Sequence, residues 1–423
     1  MNTLKIGLAK KEITPSKPVE MCGYGPWLNR VFKGIDDSLY ARSIAFVQNE
    51  RRYLIVNCDL EGIDTKYYRK IKDAISDRLR LSPDDMLLAV IHTHSGPAFY
   101  NLGPGGGQPD KEVVEEVSDI IIECACEAFN NLREVTGAKV CTCQVPDLSI
   151  ERTGSQAPIN QTMHALTFTF ESGKPLALLN FGCHPVAADI NDRITADWPG
   201  AAVRGMEALG FDALCLVAFC GNINPPQKGE GCVEKGAKLA EYYTEAMKNA
   251  RDLTDLTIKS ASFDEYYKLR IMPEEESAPY VDIFKHLERY PTYAIGLHLW
   301  EKIIEDFREG RRVPLDLVHA RFFAIGDVLI AGFSAEMVSD LSFIIEKAFP
   351  EYTVFTMGNL FDTRRYLASS RLIDCDTYEA RASCIGYCTI PIVKGEAERV
   401  VSDACARAKQ ILNESAREGI IYA

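Results

Sequence analysis

The sequence contains no hydrophobic stretch that is long enough to cross a membrane. No apolar run in its 423 residues approaches the roughly 20 residues that a transmembrane helix needs. The first residues, Met1 to Lys11, also lack the apolar core of a secretion signal. We therefore expect a cytoplasmic protein that does not associate stably with membranes.

An excess of positive charge is also missing. The formal net charge is -13 at pH 7, although 25% of the residues are charged. Electrostatics therefore disfavours a nucleic acid or an anionic membrane surface as a partner. A neutral or cationic small-molecule substrate is easier to accommodate with this charge, and the sequence does not specify an oligomeric state. A hydrophobic content of 47% is typical of a globular protein with a substantial core.

The fourteen cysteines include no Cys-x-x-Cys pair. They lie inside apolar segments, with Cys124 and Cys126 in one helical run and Cys215 and Cys220 in one strand-like run. This placement favours buried, reduced thiols that act as small hydrophobic side chains, rather than a disulfide framework.

The most informative stretch runs from Leu87 to Pro97. Its apolar residues and its final Gly-Pro turn predict a buried strand that arrives at a loop. Because side chains in a strand alternate, His92 and His94 are expected on one face of its end. The two imidazoles could serve one metal ion, or one metal ion and one reacting group. The alternative is a pair of edge histidines that are hydrogen-bonded to the backbone.

Two later apolar strands also end in polar, turn-rich loops. The strand from Leu176 to Cys183 delivers His184, and the strand from Leu214 to Phe219 runs into the loop from Gly221 to Pro226. Ligands in α/β sheets commonly bind at such strand ends. We therefore expect His92 and His184 to converge.

Strands and helices alternate along the chain without an internal repeat or a linker. This pattern predicts an α/β fold in which mixed β-sheets are flanked by helices, as a single large catalytic domain over residues 1–423 with an insertion-like segment near 265–315. Asp197 is expected to cap a helix through about Leu209, and Glu336 to begin another helix. The glycine-rich loop from Gly103 to Gly107 could fold over a substrate or serve as a plain connector.

Several segments resemble a known family. Ile91-His92-Thr93-His94-Ser95-Gly96-Pro97 resembles the Thr-His-Thr-His-Ser-Gly-Pro motif of neutral/alkaline non-lysosomal ceramidases, and Asn180 to Pro185 is similar to their second histidine segment. The resemblance covers about residues 4 to 370. Three further segments match the family in order: Gly7 to Pro15, Leu39 to Arg42, and Ala196 to Gly200.

The resemblance implies a zinc site with four ligands: His92, His184, Glu336 and Tyr366. Two imidazoles and a carboxylate form a three-ligand zinc set of the kind found in catalytic sites. The family's Pro-Gly before Glu336 and its proline after Tyr366 are absent here. Two alternatives stay open, namely that Glu336 interacts with a helix dipole and that Tyr366 is an ordinary half-buried tyrosine.

Two further residues match the family. Arg152 resembles an arginine in an Asn-Arg-Ser context, which implies that it grips a carbonyl or an anionic group of the substrate; a surface salt bridge is the alternative. Asp197 lies in a segment similar to Ser-Ala-Asp-Trp/Phe-Pro/Val-Gly. It is expected to be a helix cap and a neighbour of the active site that contributes to substrate binding.

The chain departs from the family in the loop after Cys220. Ceramidases carry Gly-Asp-Val-Ser-Pro-Asn there, whereas this chain has Asn222 in place of the aspartate and Asn224 in place of the serine. An amide can donate a hydrogen bond to an oxyanion but cannot act as a hydroxyl nucleophile or a carboxylate base. We also expect no C-terminal immunoglobulin-like domain. Ceramide is therefore not the expected substrate.

The favoured hypothesis is a zinc-dependent hydrolase that cleaves an amide, or an ester, of a small polar substrate with metal-activated water. In this hypothesis His94 transfers a proton or holds the oxyanion, Arg152 and Asn224 orient the carbonyl, and Asn222 and Asp197 contribute to substrate binding. The alternatives are a metal-dependent isomerase or lyase that uses the same site, and a non-catalytic homologue that only binds a ligand.

Overall fold

The computed structural model describes residues 3–24, 30–99, 107–273, 275–276 and 291–421, without the side chains of 291–297 and 414–421. The strands in this part of the chain are, in order, β1 Lys5–Glu12, β2 Gly34–Ile35, β3 Tyr40–Gln48, β4 Arg51–Cys58, β5 Met86–Val90, β6 Arg133–Gln144, β7 Ile150–Glu151, β8 Thr162–Phe170, β9 Leu176–Phe181, β10 Arg193–Ile194, β11 Asp212–Val217, β12 Ile223–Asn224, β13 Arg251–Asp252, β14 Ile258–Lys268, β15 Leu315–Ile325, β16 Val328–Phe333, β17 Glu336–Met337, β18 Thr353–Met357 and β19 Tyr366–Leu367.

The α-helices vary widely in length. They are, in order, α1 Thr65–Leu79, α2 Lys111–Asn130, α3 Asp197–Ala208, α4 Lys238–Ala246, α5 Pro291–Arg308, α6 Ser342–Ala348, α7 Ser370–Asp374, α8 Ser383–Gly386 and α9 Glu396–Ile421. Within the described residues, no helix is both long enough and apolar enough to span a lipid bilayer.

The larger sheet has the strand order β11-β9-β8-β6-β1-β3-β4-β5, and β13 pairs with β6. Its strands are antiparallel except for two parallel pairs near the ends of this order, β11 with β9 and β4 with β5. These ends approach each other in space, because the Asn57 side chain on β4 donates to the Cys215 carbonyl on β11 at 2.9 Å. The strands that precede the two histidine segments are thereby brought together.

The smaller sheet, with the order β14-β15-β16-β18, packs face to face on the larger one. Alternation along β3 shows why, since Ile44 and Phe46 point toward the smaller sheet whereas Ala41 and Ala45 point toward the helices. Phe46 contacts Phe323 of β15, with ring centroids 5.2 Å apart. A buried apolar layer therefore fills the space between the two sheets.

Helices cover both outer faces. The first core cluster joins the larger sheet to α1, α2, α3 and α4, and another joins the smaller sheet to α5, α6 and α9. The result is four layers in the order helices, sheet, sheet, helices. The predicted α/β class, with mixed sheets flanked by helices, is confirmed.

All fourteen cysteines lie in the described part of the chain, and none of them forms a disulfide. The prediction of reduced thiols therefore agrees with the structure. The insertion-like segment predicted near 265–315 includes residues 274 and 277–290, which lie outside the described residues. Its described part contains the end of β14 and the helix α5.

Candidate metal centre

The site is assembled from loops that backbone hydrogen bonds tie together. The His94 amide donates to the Pro185 carbonyl at 3.2 Å, and the His184 amide donates to the Ile223 carbonyl at 3.2 Å. The Gly221 amide donates to the Met337 carbonyl at 2.8 Å. These bonds link the loops after β5, β9 and β11 to the segment that carries Glu336.

Three imidazoles meet where these loops converge. The ring centroids of His92, His94 and His184 lie 4.8 to 5.0 Å apart. The Nε2 atoms of His94 and His184 are 3.0 Å apart, and all three side chains are buried. The three residues form a group that could hold a metal ion. The expected convergence of His92 and His184 is therefore confirmed.

Glu336 completes the cluster. Its Oε2 atom lies 3.2 Å from His92 Nε2 and 3.7 Å from His184 Nε2. Neither His92 Nε2 nor Glu336 Oε2 has a hydrogen-bond partner, although both atoms are buried. Apart from their mutual contact, these two buried atoms have no partner among the described residues, which is costly, and a metal ion between them would satisfy both. The donor set of imidazoles and a carboxylate fits zinc.

Burial and charge set the protonation states in the cluster. Burial lowers the pKa of His92, but Glu336 outweighs it and raises this pKa to about 9. Burial raises the pKa of Glu336, and His92 reverses that effect so that the pKa is lowered overall. The pKa values of His94 and His184 fall well below the usual value, because of burial first and neighbouring positive groups second. Metal binding requires deprotonated ligands, so His184, His94 and Glu336 already have the required form, whereas His92 would release a proton to a metal ion.

Backbone carbonyls orient the imidazoles from behind. His92 Nδ1 donates to the Glu61 carbonyl at 2.7 Å, and His184 Nδ1 lies 3.5 Å from the Cys220 carbonyl. The first contact leaves His92 Nε2 as the atom that faces the cluster. The Glu61 carboxylate lies nearby and accepts a hydrogen bond from Cys22 Sγ at 2.9 Å.

Tyr366 and Glu336 are neighbours because β17 and β19 form a parallel pair in which the two residues are in register. Tyr366 is 6% exposed, so it is buried rather than half-buried, and its role as a metal ligand stays a prediction. Glu336 belongs to a strand rather than a first helical turn, so the helix-dipole interpretation is wrong. The pairing of two short strands brings both predicted ligands to one place.

The prediction that strand alternation places His92 and His94 on one face is wrong, although their rings do meet. The strand β5 ends at Val90, and His92 has a left-handed backbone with φ 65°. This conformation is uncommon for a residue other than glycine. A turn, rather than strand alternation, therefore directs the two imidazoles toward each other.

Arg152 lies beside the cluster and contacts three partners. Nε donates to Glu379 Oε1 at 2.8 Å, Nη1 donates to Asn224 Oδ1 at 3.3 Å, and Nη2 donates to the Tyr366 hydroxyl at 3.1 Å. The side chains of Arg152 and Glu379 are 16% and 1% exposed. The salt bridge is therefore buried, and the proposed surface salt bridge is wrong.

Asn222 and Asn224 have different surroundings. Asn222 is fully buried, and its Oδ1 accepts from the Ser339 amide at 2.7 Å while its Nδ2 has no partner. Asn224 is partly exposed and turns its Oδ1 to Arg152. The assignments of both residues to the reaction stay predictions.

Asp197 is the first residue of α3 rather than its cap, because the cap position is Ala196. Its carboxylate accepts from the amides of Ala187, Ala188 and Trp198 at 2.7 to 3.0 Å. Burial raises the pKa of Asp197 to about 6. Asp197 is therefore not the expected helix cap. Its carboxylate instead holds the loop that follows His184 through hydrogen bonds. Its expected role in substrate binding stays a prediction.

Four residues of the site were not found in the sequence: Glu61, Tyr378, Glu379 and Tyr387. Tyr387 donates to Glu336 Oε1, and the exposed Tyr378 places its ring centroid 5.9 Å from that of Tyr366. Glu61 follows the apolar strand β4 as His92 follows β5, so the same pattern could have indicated it, whereas the other three residues follow no such strand. Most of the glycine-rich loop, residues 103–106, lies outside the described residues.

The fold is that of the neutral ceramidases. The crystal structure of neutral ceramidase from Pseudomonas aeruginosa matches with a TM-score of 0.72 and 18% identity, over 97% of this chain and 75% of that one. A second structure, described as ceramidase complexed with C2, matches with a TM-score of 0.70 and 17% identity, over 96% of this chain and 75% of that one. No family model matches the sequence, and no curated protein matches it. At these identities the likeness concerns the fold.

Proposed function

We propose that this protein is a zinc-dependent hydrolase that cleaves an amide bond, or alternatively an ester bond, in a small polar substrate. The observation that carries the proposal is the convergence of three buried imidazoles with Glu336, in which His92 Nε2 and Glu336 Oε2 face each other without hydrogen-bond partners. The shared fold with neutral ceramidases supports the amide class.

His92, His184, Glu336 and Tyr366 would hold the metal, and His94 lies close enough to join them. When bound, a zinc ion would polarise the scissile carbonyl and lower the pKa of a coordinated water toward about 7. Tyr387 and the Glu61 carbonyl would keep Glu336 and His92 in place through hydrogen bonds.

The polar residues around the cluster would transfer protons, orient the substrate and support its binding. His94 faces the cluster with its Nε2 atom 3.0 Å from His184 Nε2, and in this proposal it transfers a proton or holds the oxyanion. Arg152 and Asn224 would orient the substrate carbonyl. Because Asn224 Oδ1 accepts from Arg152, its Nδ2 is left to donate to a developing oxyanion. Asn222 and Asp197 would support binding from behind, since both are fully buried.

Metal analysis of the purified protein, combined with a turnover screen of N-acyl and O-acyl compounds, tests the proposal. We expect one zinc per chain and a product heavier by the mass of water, which separates hydrolysis from isomerisation. H92A should lose both metal and activity. The matched control is H164A, because His164 contacts Thr142 and Phe355 instead of the cluster. Absence of stoichiometric zinc, or full metal retention by H92A, would contradict the proposal.

We also propose the cytoplasm as the compartment and a small-molecule substrate, rather than a nucleic acid or a membrane, as the partner. Cysteines that form no disulfide and are mostly buried suit a reducing environment. The net charge of -13 argues against a nucleic-acid partner.

A further inference from the structure

Arg152 joins two segments of the candidate metal centre. Its amide donates to the Asn222 carbonyl at 3.1 Å, so its backbone is fixed to the loop after β11. From there its side chain reaches Asn224 Oδ1 with Nη1 at 3.3 Å and the Tyr366 hydroxyl with Nη2 at 3.1 Å. The position of this guanidinium therefore affects both the loop after β11 and the pair β17–β19.

Glu379 holds the remaining side of the guanidinium. Its Oε1 atom accepts from Arg152 Nε at 2.8 Å, and its side chain is 1% exposed. A guanidinium is planar and presents its N–H groups in a fixed fork. Fixing Nε therefore limits the directions in which Nη1 and Nη2 can point.

Stability alone does not account for the pair of Glu379 and Arg152. Glu379 Oε2 is buried and has no hydrogen-bond partner among the described residues. An unsatisfied buried oxygen is unfavourable, and apolar side chains can often replace a buried ion pair without loss of stability. A role in positioning Arg152 explains a buried carboxylate that uses only one of its two oxygens.

Tyr366 is the partner of Arg152 whose position matters for a metal ion. It is in register with Glu336 across the pair β17–β19. A Cβ atom built on Gly221 would lie 3.2 Å from Tyr366 Cδ1, so the tyrosine ring rests on the loop after β11. Its centroid is 6.0 Å from that of Tyr387, which donates to Glu336. A phenolic oxygen has two lone pairs, so the hydrogen bond from Arg152 leaves one of them for a metal ion.

We propose that Glu379 is a positioning residue of the metal centre. By holding Arg152 Nε it directs Nη2 to the Tyr366 hydroxyl, which keeps this oxygen in place as a metal ligand. In this proposal Glu379 acts through Arg152 and contacts neither the metal ion nor the substrate. The inference rests on the metal site of the proposed function, and it does not depend on which bond is hydrolysed.

The test replaces zinc by Cu²⁺ in the purified full-length protein, because a phenolate bound to Cu²⁺ gives a charge-transfer band in the visible spectrum. Imidazole ligands suit this ion as well. We expect such a band in the wild-type protein with stoichiometric copper, and its loss in Y366F. The readout is the absorbance per bound copper, since this ratio does not change when a variant merely folds less well or binds less metal.

Two variants separate the position of the carboxylate from its charge. E379Q keeps an oxygen that can accept from Arg152 Nε, and its amide nitrogen replaces the oxygen that lacks a described partner. It should retain the band. E379D keeps the charge but shortens the side chain by a methylene group, which withdraws the acceptor from Nε. Its absorbance per copper should fall about twofold or more, because a site residue must lie within about 0.5 Å of its productive position.

The matched control is E265D. Glu265 is another buried carboxylate that pairs with an arginine, since its Oε1 atom lies 2.7 Å from Arg407 Nη1. The two residues belong to β14 and α9 rather than to the loops of the cluster. E265D should keep the wild-type absorbance per copper, whereas R152M should lose at least as much of it as E379D.

The proposal is overturned if E379D or R152M keeps the wild-type absorbance per copper, if E379Q loses as much as E379D, or if E265D and E379D behave alike. Metal content separates this inference from the proposed function. A wild-type protein that binds copper without a band that Y366F removes overturns the role of Glu379 alone. A protein that binds neither zinc nor copper contradicts the proposed function as well.

Discussion

Gly23 leaves the space that His94 occupies. A Cβ atom built on Gly23 would lie 2.6 Å from His94 Cβ, and the Gly23 backbone has a φ of 119°, which side-chain-bearing residues rarely adopt. The Arg30 guanidinium fixes the same region by donating to the His94 carbonyl at 2.8 Å and the Cys22 carbonyl at 2.6 Å. The absence of a side chain at Gly23 therefore allows His94 to occupy its position in the cluster.

The substitution G23A should displace His94 and reduce both zinc affinity and activity at least tenfold, because metal and catalytic sites tolerate little displacement. Zinc content and kcat/KM are the measurements. The control is G210A, since Gly210 also has a left-handed backbone with φ 90° but no atom within 4 Å of an added Cβ. Equal losses in G23A and G210A would mean that backbone strain alone, rather than contact with His94, causes the effect.

At the scale of secondary structure, short elements set the positions of the ligands. The pair β17–β19 contains only two residues in each strand, yet it places Glu336 beside Tyr366. The start of α3 acts on the other side of the site, where Asp197 holds the loop after His184 through the amides of Ala187 and Ala188.

The substitution D197A should lower the free energy of unfolding by ~2 kcal/mol or more, because it leaves buried amides without an acceptor. It should also weaken zinc binding, since the loop after His184 loses its brace. Urea denaturation and zinc titration measure the two effects.

The control for this prediction is D110A. Asp110 caps α2 by accepting from the Val113 amide at 3.1 Å, and the loss of such a cap costs about 1 kcal/mol. Zinc affinity should be unchanged in D110A. The bracing role of Asp197 is refuted if D197A retains the zinc affinity of the wild-type protein.

At the scale of the whole molecule, the site bridges the two halves of the four-layer fold. His92 and His184 follow strands of the larger sheet, whereas Glu336 follows β16 of the smaller sheet. A metal ion held by all of them would connect both sheets in the folded state and would find no such arrangement in the unfolded chain.

Zinc should therefore raise the thermal stability of the entire molecule. At zinc concentrations of 100 to 1,000 times Kd the expected gain is about 2.7 to 4.1 kcal/mol. Scanning calorimetry of the zinc-loaded and the chelator-treated protein measures it, and H92A should show no zinc-dependent shift. A gain confined to one of two separate transitions would mean that the ion does not couple the sheets.

The sequence was sufficient to predict the α/β class, the reduced cysteines and the meeting of His92 with His184. These features follow from local patterns, because apolar strands that end in polar loops place their last side chains at a common edge. Glu336 and Tyr366 entered through the family resemblance, and the structure brings Glu336 into contact with His92 and Tyr366 into register with Glu336. The glycine at position 23 and the carboxylate at 379 left no comparable signal.

What the sequence determined by itself is the apolar strands that precede His92 and His184 and the chemistry that their ends carry, since hydrophobic periodicity and residue type are local properties. Tertiary structure alone decided the left-handed turn at His92, the buried pairing of Arg152 with Glu379, and the contact of Tyr387 with Glu336. Each of these depends on segments that are distant in sequence and that meet only when the two sheets pack. Their energies come from burial and from hydrogen bonds that no local pattern encodes.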